Sequence, residues 1–189
     1  MGSFTPETPM SDAVVMARNF AKKAHGEQKY GQHPYVHHLD RVADTLRQYG
    51  WTGDAVTPLA IAAYLHDVLE DTNVTAEQLR AEFGEEATRL VEVVTKLPGY
   101  TRKESNPIVL PRIARAGIEA VALKLADRIA NVNSCYETKN GALLFMYHRE
   151  HPFFVRCLRY DEHGRPRFDG LHAEMWDELD GLFGLKKVS

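Results

Sequence analysis

Four acidic or imidazole side chains are concentrated in one short apolar stretch of the chain. His66 and Asp67 are followed by Glu70 and Asp71 within the string AAYLHDVLEDT at 62–72. In a helix, which advances about 100° per residue, His66 and Glu70 share one face, and Asp67 and Asp71 share the adjacent face. Charged groups are costly in apolar surroundings unless they are paired. The spacing therefore predicts that His66 and Asp67 hold a cation between the two faces, with Glu70 and Asp71 beside it.

Two protein ligands rarely hold a catalytic metal alone, so we expect further ligands from other parts of the chain. His38 follows the string PYVH, and Asp127 lies within the apolar string VALKLADRIAN. Two imidazoles and two carboxylates leave coordination positions open for water and substrate on a six-coordinate ion. This donor set suits Mn²⁺, and also Fe²⁺ or Zn²⁺. The predicted metal ligands are His38, His66, Asp67 and Asp127.

This His…His-Asp…Asp order resembles that of the HD-domain metal phosphohydrolases. Further blocks resemble the hydrolase domain of RelA/SpoT-type alarmone enzymes: residues 28–35, the His-Asp-x-x-Glu-Asp-Thr stretch, VTKL at 94–97 and KLADR at 124–128. The resemblance covers roughly residues 12 to 135 by motif. It implies an HD-domain fold, Mn²⁺ as the metal, and Glu70 and Asp71 as the catalytic pair that orients water and accepts its proton.

The resemblance also implies where a nucleotide would bind. Lys29 and Tyr30 stand where the long enzymes carry an arginine, which stacks on guanine, and a lysine. Asn131 and Ser134 match an Asp-Arg-x-x-Asn-x-x-Thr segment that contacts the nucleotide. A solvated loop is the alternative for Lys29 and Tyr30, and a core position is the alternative for Tyr147. The predicted substrate-binding residues are Lys29, Tyr30, Lys124, Asn131, Ser134 and Tyr147.

Some other charged and imidazole residues receive a different interpretation. Lys96, Arg102 and Lys103 form a basic stretch near a loop. Solvent exposure is the default interpretation of such a run, and contact with substrate phosphates is the alternative. His25 and His33 lack motif support as ligands, so we expect them at the surface or near helix ends.

The activity implied by the resemblance is removal of the 3′-diphosphate from ppGpp or pppGpp, which gives GDP or GTP and pyrophosphate. Because the residues at 29 and 30 depart from the family pattern, the adenine alarmone ppApp and the 2′-phosphate of NADPH remain alternatives. An HD-type nucleotide phosphomonoesterase such as a 5′-nucleotidase is the second hypothesis. A non-catalytic nucleotide sensor is the third, although every ligand and acidic position is filled.

The elements that must position these residues are predicted to be helices, because no strand-period pattern of any length occurs. We expect one all-α HD domain at 11–189 after a flexible tail at 1–10. A helix that begins at Thr57-Pro58 should carry 66–71, and Asn106-Pro107 should open another. A long apolar helix at 118–136 should carry Asp127. A small hairpin or turn is expected at 160–170.

Composition limits the possible classes of partner. The net charge is −3 over 189 residues, which argues against a general nucleic-acid binder. Cys135 and Cys157 are too few for a disulfide framework, which favours reduced thiols in a cytoplasmic protein. We expect neither a membrane helix nor a signal peptide. The expected partner is a small phosphorylated nucleotide, and the oligomeric state is left open.

Overall fold

The structure is a computed structural model that describes residues 10–167 and 172–185. Within these residues the predicted all-α class is confirmed, since helices form nearly all of the regular structure. The predicted tail at 1–10 lies outside the described residues except for Met10. The elements are α1 Asp12–His25, β1 Lys29–Tyr30, β2 His33–Pro34, α2 Val36–Gln48, a 3₁₀ turn Asp54–Val56, α3 Thr57–Leu65, α4 Val68–Asp71, α5 Ala76–Val94, α6 Arg102–Ala116, α7 Ile118–Glu137, α8 Gly141–Leu158 and α9 His172–Leu182.

Helix α7 is the central element of the core. It packs against α2, α3, α5, α6, α8 and α9. Small and branched apolar residues cover most of its surface, and a helix that is apolar on nearly all sides must be buried. Asp127 and Arg128 are nevertheless buried within it. The predicted long apolar helix is therefore confirmed, and it carries a carboxylate into the interior.

The helix predicted to carry 66–71 without interruption is broken. α3 ends at Leu65 and α4 begins at Val68, so His66 and Asp67 lie at a junction. The Nδ1 atom of His66 lies 2.8 Å from the carbonyl oxygen of Ala63. A continuous helix would give that carbonyl to the amide of Asp67. The prediction of one continuous helix through these four residues was therefore wrong, although the Asp71 amide still donates to the Asp67 carbonyl one turn earlier.

The structure also differs from the prediction at the start of α6 and in the loop after α1. α6 begins at Arg102, before Asn106-Pro107, because Thr101 and Glu104 form a capping box. The loop after α1 contains the two-residue antiparallel strands β1 and β2, with Gly31 at φ 60° in the turn. A short antiparallel bridge joins Tyr160 to Pro166, as the expected turn requires. Residues 168–170 of that turn lie outside the described residues.

Among the helices that the structure describes, none combines the length and hydropathy that a membrane crossing requires.

Candidate metal centre and catalytic cavity

The structure brings His38, His66, Asp67 and Asp127 together from α2, the α3–α4 junction and α7. The Nε2 atom of His66 lies 3.2 Å from Asp67 Oδ2 and 3.8 Å from Asp127 Oδ1. The Nε2 atom of His38 lies 3.6 Å and 3.4 Å from the same two oxygens. Ligands that share one cation at bond lengths of about 2.1 Å are typically about 3 to 4 Å apart. The four nitrogen-to-oxygen distances fit that requirement.

The donor chemistry of this cluster also fits a divalent cation. His66 can donate its Nδ1 proton to the Ala63 carbonyl, which leaves a lone pair on Nε2. This Nε2 atom is buried and has no hydrogen-bond partner among the described residues. In metal-binding imidazoles, the nitrogen that does not bind the metal commonly donates a hydrogen bond, as Nδ1 of His66 does here. His38, His66 and Asp67 offer ligand atoms within 4.8 Å of one another, and Asp127 borders the same space.

The cluster carries two carboxylates, which require compensating positive charge. Burial opposes ionisation of all four groups, but their mutual attraction outweighs it. The Asp67 and Asp127 carboxylates raise the pKa of both imidazoles. The two imidazoles, together with Lys124 beside Asp127, keep the pKa of both carboxyl groups below the ordinary value. The carboxylates therefore stay ionised near neutral pH, and a divalent cation would replace the protons that the imidazoles otherwise attract.

The cluster opens into a cavity of about 310 Å³ that contains both acidic and basic side chains. Its size is within the range of small-molecule sites. Lys96, Arg102 and Lys124 provide positive charge, and Glu70 and Asp71 provide further carboxylates. The lining residues are Tyr35, His38, Asp67, Glu70, Asp71, Val94, Lys96, Arg102, Ser105, Asn106, Val109, Lys124, Asp127 and Asn131.

Glu70 and Asp71, the predicted catalytic pair, line this cavity together with Asp67, one of the predicted metal ligands. The backbone amide of Lys96 donates a hydrogen bond to Glu70 Oε1, and burial raises the pKa of Glu70. Asp71 Oδ2 accepts a hydrogen bond of 2.9 Å from Gln28 Nε2. Both carboxylates are thus held by groups outside their own helix. A raised pKa suits a carboxylate that must accept a proton from water and later release it.

Arg102 reaches the cavity because neighbouring residues fix its side chain. Its Nε atom lies 3.0 Å from both oxygens of Glu150, and its guanidinium lies 5.1 Å from the centre of the Tyr147 ring. Arg128 packs on the same ring at 4.7 Å. Tyr147 is only 6 % exposed and is not among the cavity-lining residues. The structure therefore places it under two arginines, in the core position that was the alternative to nucleotide stacking.

Four of the other predicted substrate residues line one of two cavities: Lys124 and Asn131 line the first, and Tyr30 and Ser134 line the second. Lys124 Nζ donates to Asp127 Oδ2 at 2.9 Å, and Asn131 Nδ2 donates to Asp127 Oδ1. Tyr30 and Ser134 line a second cavity, of about 320 Å³. Lys29 is exposed on β1 and lines neither cavity. The described residues thus bring every predicted substrate position except Lys29 and Tyr147 to a cavity wall.

Sequence reasoning missed functional contacts made by Tyr35, Arg102 and His25. The Tyr35 hydroxyl donates to Asp67 Oδ2 at 2.5 Å, and its ring stacks on His25 at 4.3 Å. His25 is buried, which rules out the surface alternative, but it is the last residue of α1, at a helix end as the other alternative predicted, and its Nδ1 lies 2.8 Å from Gln28 Oε1. The Pro-Tyr element of the motif was the available signal for Tyr35. For Arg102, the sequence favoured solvent exposure, with contact to substrate phosphates as the alternative, and did not indicate the contact with Glu150.

Comparisons with known proteins agree with this arrangement. A sequence model of the HD domain matches residues 17–143. The chain is 33 % identical over 127 residues to guanosine-3′,5′-bis(diphosphate) 3′-pyrophosphohydrolase MESH1 of Xenopus tropicalis, covering 65 % of this chain and 70 % of the relative. It is 36 % identical over 130 residues to a 3′-pyrophosphohydrolase of Aquifex aeolicus, covering 67 % of this chain. The chain spans 18 % of that longer relative.

A solved structure extends the similarity to the whole fold. The structure of a metazoan ortholog of SpoT, described as hydrolysing ppGpp, superposes with a TM-score of 0.78 at 24 % identity. The match covers 94 % of this chain and 97 % of the other. At this identity the superposition establishes the fold, while the sequence matches establish the family. The chain belongs to the HD-domain family, in the group that includes the MESH1 proteins.

Proposed function

We propose that the protein is a metal-dependent hydrolase that removes the 3′-diphosphate from an alarmone nucleotide such as ppGpp and releases pyrophosphate. The observation that carries this proposal is that His38, Asp67 and Asp127 line a cavity that also contains the side chains of Lys96, Arg102 and Lys124 and two further carboxylates, Glu70 and Asp71. The names of the related proteins supply the substrate class. We further propose that residues 11–189 form one hydrolase domain and that the protein acts in the cytoplasm.

His38, His66, Asp67 and Asp127 would hold the cation, for which we propose Mn²⁺, with Fe²⁺ or Zn²⁺ as alternatives. A bound divalent cation supplies Lewis-acid activation of water and of the phosphate. The imidazoles contribute neutral nitrogen donors, and the two carboxylates contribute the negative charge. Tyr35 and Lys124 hold one oxygen of each carboxylate, so the ligands are oriented before any cation enters.

Glu70 and Asp71 are the proposed proton acceptors and water-orienting groups. Both face the cavity beside Asp67. Burial raises the pKa of Glu70, which favours its role as a proton acceptor, while the hydrogen bond from the Lys96 amide opposes that rise and fixes the orientation of the carboxylate. Gln28 holds the Asp71 carboxylate in place from the loop after α1.

Lys96, Arg102 and Lys124 are the proposed phosphate-binding groups. A diphosphate carries several negative charges, and charge-assisted hydrogen bonds from arginine and lysine are the strongest available to it. Arg102 is the best fixed of the three, since Glu150 and Tyr147 hold its guanidinium at the cavity wall. Its planar fork can bind two phosphate oxygens at once.

The nucleoside is proposed to lie toward Asn131 and Ser134, beside Tyr30 and Lys29. Asn131 lines the first cavity, while Tyr30 and Ser134 line the second. The residues at 29 and 30 depart from those of the long enzymes. The preference between guanine and adenine is therefore the part of the proposal that most needs measurement.

A substrate panel tests the proposed function. The purified full chain, loaded with Mn²⁺, is incubated with ppGpp, ppApp, NADPH and GMP, and the products are separated by ion-exchange chromatography. We expect pyrophosphate and a nucleoside 5′-diphosphate from ppGpp or ppApp. Orthophosphate release from NADPH or GMP, without pyrophosphate from either alarmone, would instead support a phosphomonoesterase. Tight alarmone binding without turnover would support a sensor.

Arg102→Ala should raise the KM for the alarmone by about 10-fold to 100-fold, because a hydrogen bond to a charged group contributes roughly 1.5–3 kcal/mol. Arg102→Lys should lie between this variant and the wild type, since it keeps the charge and loses the fork. Lys103→Ala is the matched control, because Lys103 is the next residue on α6 and is exposed. Steady-state kinetics measures the effect, and equal KM values for Arg102→Ala and Lys103→Ala would contradict it.

A further inference from the structure

His38 and His66, the two imidazoles among the proposed metal ligands, differ in the contact made by their Nδ1 atom. His66 directs Nδ1 to the Ala63 carbonyl, which fixes the plane of its ring. His38 directs Nε2 to the cluster, but its Nδ1 is buried and has no hydrogen-bond partner among the described residues. Metal-binding histidines are usually oriented by a hydrogen bond from that second nitrogen. Tyr35 and His66 lie edge-on to the His38 ring, with centroids 5.7 Å and 5.3 Å away, so a closer, stacked contact is the one best able to fix its plane.

Tyr30 makes that contact. Its ring stacks on His38 with centroids 4.6 Å apart and an angle of 30° between the ring planes. Stacking of this kind restrains the plane of the imidazole. Because β1 pairs with β2 in a tight hairpin, the position of the Tyr30 backbone is itself restrained.

The Tyr30 hydroxyl reaches a second ligand of the cluster through Asn131. It donates a 3.0 Å hydrogen bond to Asn131 Oδ1, and Asn131 Nδ2 donates to Asp127 Oδ1. A carboxylate only accepts hydrogen bonds, so Asp127 fixes the orientation of the amide, and the amide oxygen is left for Tyr30. Burial raises the pKa of Tyr30 to about 12, so the phenol remains a donor at neutral pH.

We propose that Tyr30 is a positioning residue for the metal centre, orienting His38 by ring stacking and Asp127 through Asn131. This inference rests on the proposed function only for the identity of the ligand set. It gives Tyr30 a role that the lysine of the long enzymes, which lacks an aromatic ring, cannot perform. The metal centre of this chain thus depends on the loop after α1 as well as on its helices.

The test measures Mn²⁺ binding in the absence of any nucleotide, by isothermal titration calorimetry on the full chain. Tyr30→Leu removes both the ring stack on His38 and the hydrogen bond to Asn131, and it should weaken Mn²⁺ affinity by about 10-fold to 100-fold. Tyr30→Phe keeps the ring and loses the hydroxyl, so its Mn²⁺ affinity should lie between those of the wild type and Tyr30→Leu, and wild-type affinity would overturn the role of the hydroxyl. Tyr30→Lys should behave like Tyr30→Leu. Tyr100→Leu is the matched control, because that side chain is 51 % exposed and lines neither cavity.

The outcomes separate the possible roles of Tyr30. A role in substrate binding alone would leave the Mn²⁺ affinity of Tyr30→Leu unchanged and raise only KM, which would overturn the inference. If Tyr30→Phe lost as much Mn²⁺ affinity as Tyr30→Leu, the claim that ring stacking orients His38 would be overturned. Thermal unfolding of each metal-free variant identifies any that fail to fold, and Tyr30→Phe and Tyr30→Lys then carry the test. If the wild type binds Mn²⁺ but hydrolyses no alarmone, the proposed function fails while this comparison still stands.

Discussion

Replacing Asp67 by alanine should lower kcat for the alarmone by at least about a thousandfold. Metal-ion activation contributes several kcal/mol to transition-state stabilisation, and each 1.4 kcal/mol corresponds to about a factor of ten in rate. Asp67 lies within 3.6 Å of both imidazoles, so its loss removes one donor and half of the negative charge that holds the cation. Steady-state hydrolysis with pyrophosphate detection measures the effect.

The fold should survive this substitution, because the Asp67 side chain is partly exposed at a helix junction and the core packs without it. Far-UV circular dichroism should therefore match the wild type. Asp67→Asn keeps the shape and loses the charge, so it should be similarly inactive. Glu86→Ala is the charge-matched control on the exposed face of α5. If Asp67→Ala kept more than about a tenth of the wild-type rate, the proposed ligand set would be wrong.

Adding Mn²⁺ to metal-free protein should raise its melting temperature by about 5–10 °C. A ligand at a hundred times its Kd stabilises the folded state by about 2.7 kcal/mol, and 1 kcal/mol corresponds to about 2–4 °C in a chain of this size. The physical source is the pair of carboxylates, Asp67 and Asp127, whose negative charge a divalent cation would neutralise. Differential scanning calorimetry measures the shift.

Protein made metal-free with a chelator should have no hydrolase activity, and added Mn²⁺ should restore it. Ca²⁺ prefers oxygen ligands, so a site with two imidazoles should respond to it weakly or not at all. In Asp67→Ala the melting temperature should be nearly independent of Mn²⁺. An equal rise for this variant and the wild type would place the binding site elsewhere, and full activity in the presence of chelator would contradict metal dependence.

The sequence by itself determined the fold class and pointed to many, though not all, of the positions that converge on the cavity. The long apolar string around Asp127 could only be a buried helix, and a carboxylate inside it demanded a partner. The start of α5 is set by a capping box between Thr75 and Gln78, two residues only three positions apart. These are local patterns, in which residues a few positions apart on one element decide the outcome. The same local patterns, combined with the family resemblance, identified His38, His66 and Asp67 as one group.

Only the tertiary structure decided how the side chains are held. The break between α3 and α4, the Tyr30–His38 stack and the Tyr35–Asp67 hydrogen bond depend on contacts that no helical period encodes. Arg102 was expected in solvent, and Glu150, 48 residues away, holds it at the cavity wall instead. The physical reason is that local sequence fixes the preference of each segment for helix or turn. The partner of a polar side chain depends on which segments the core packs together.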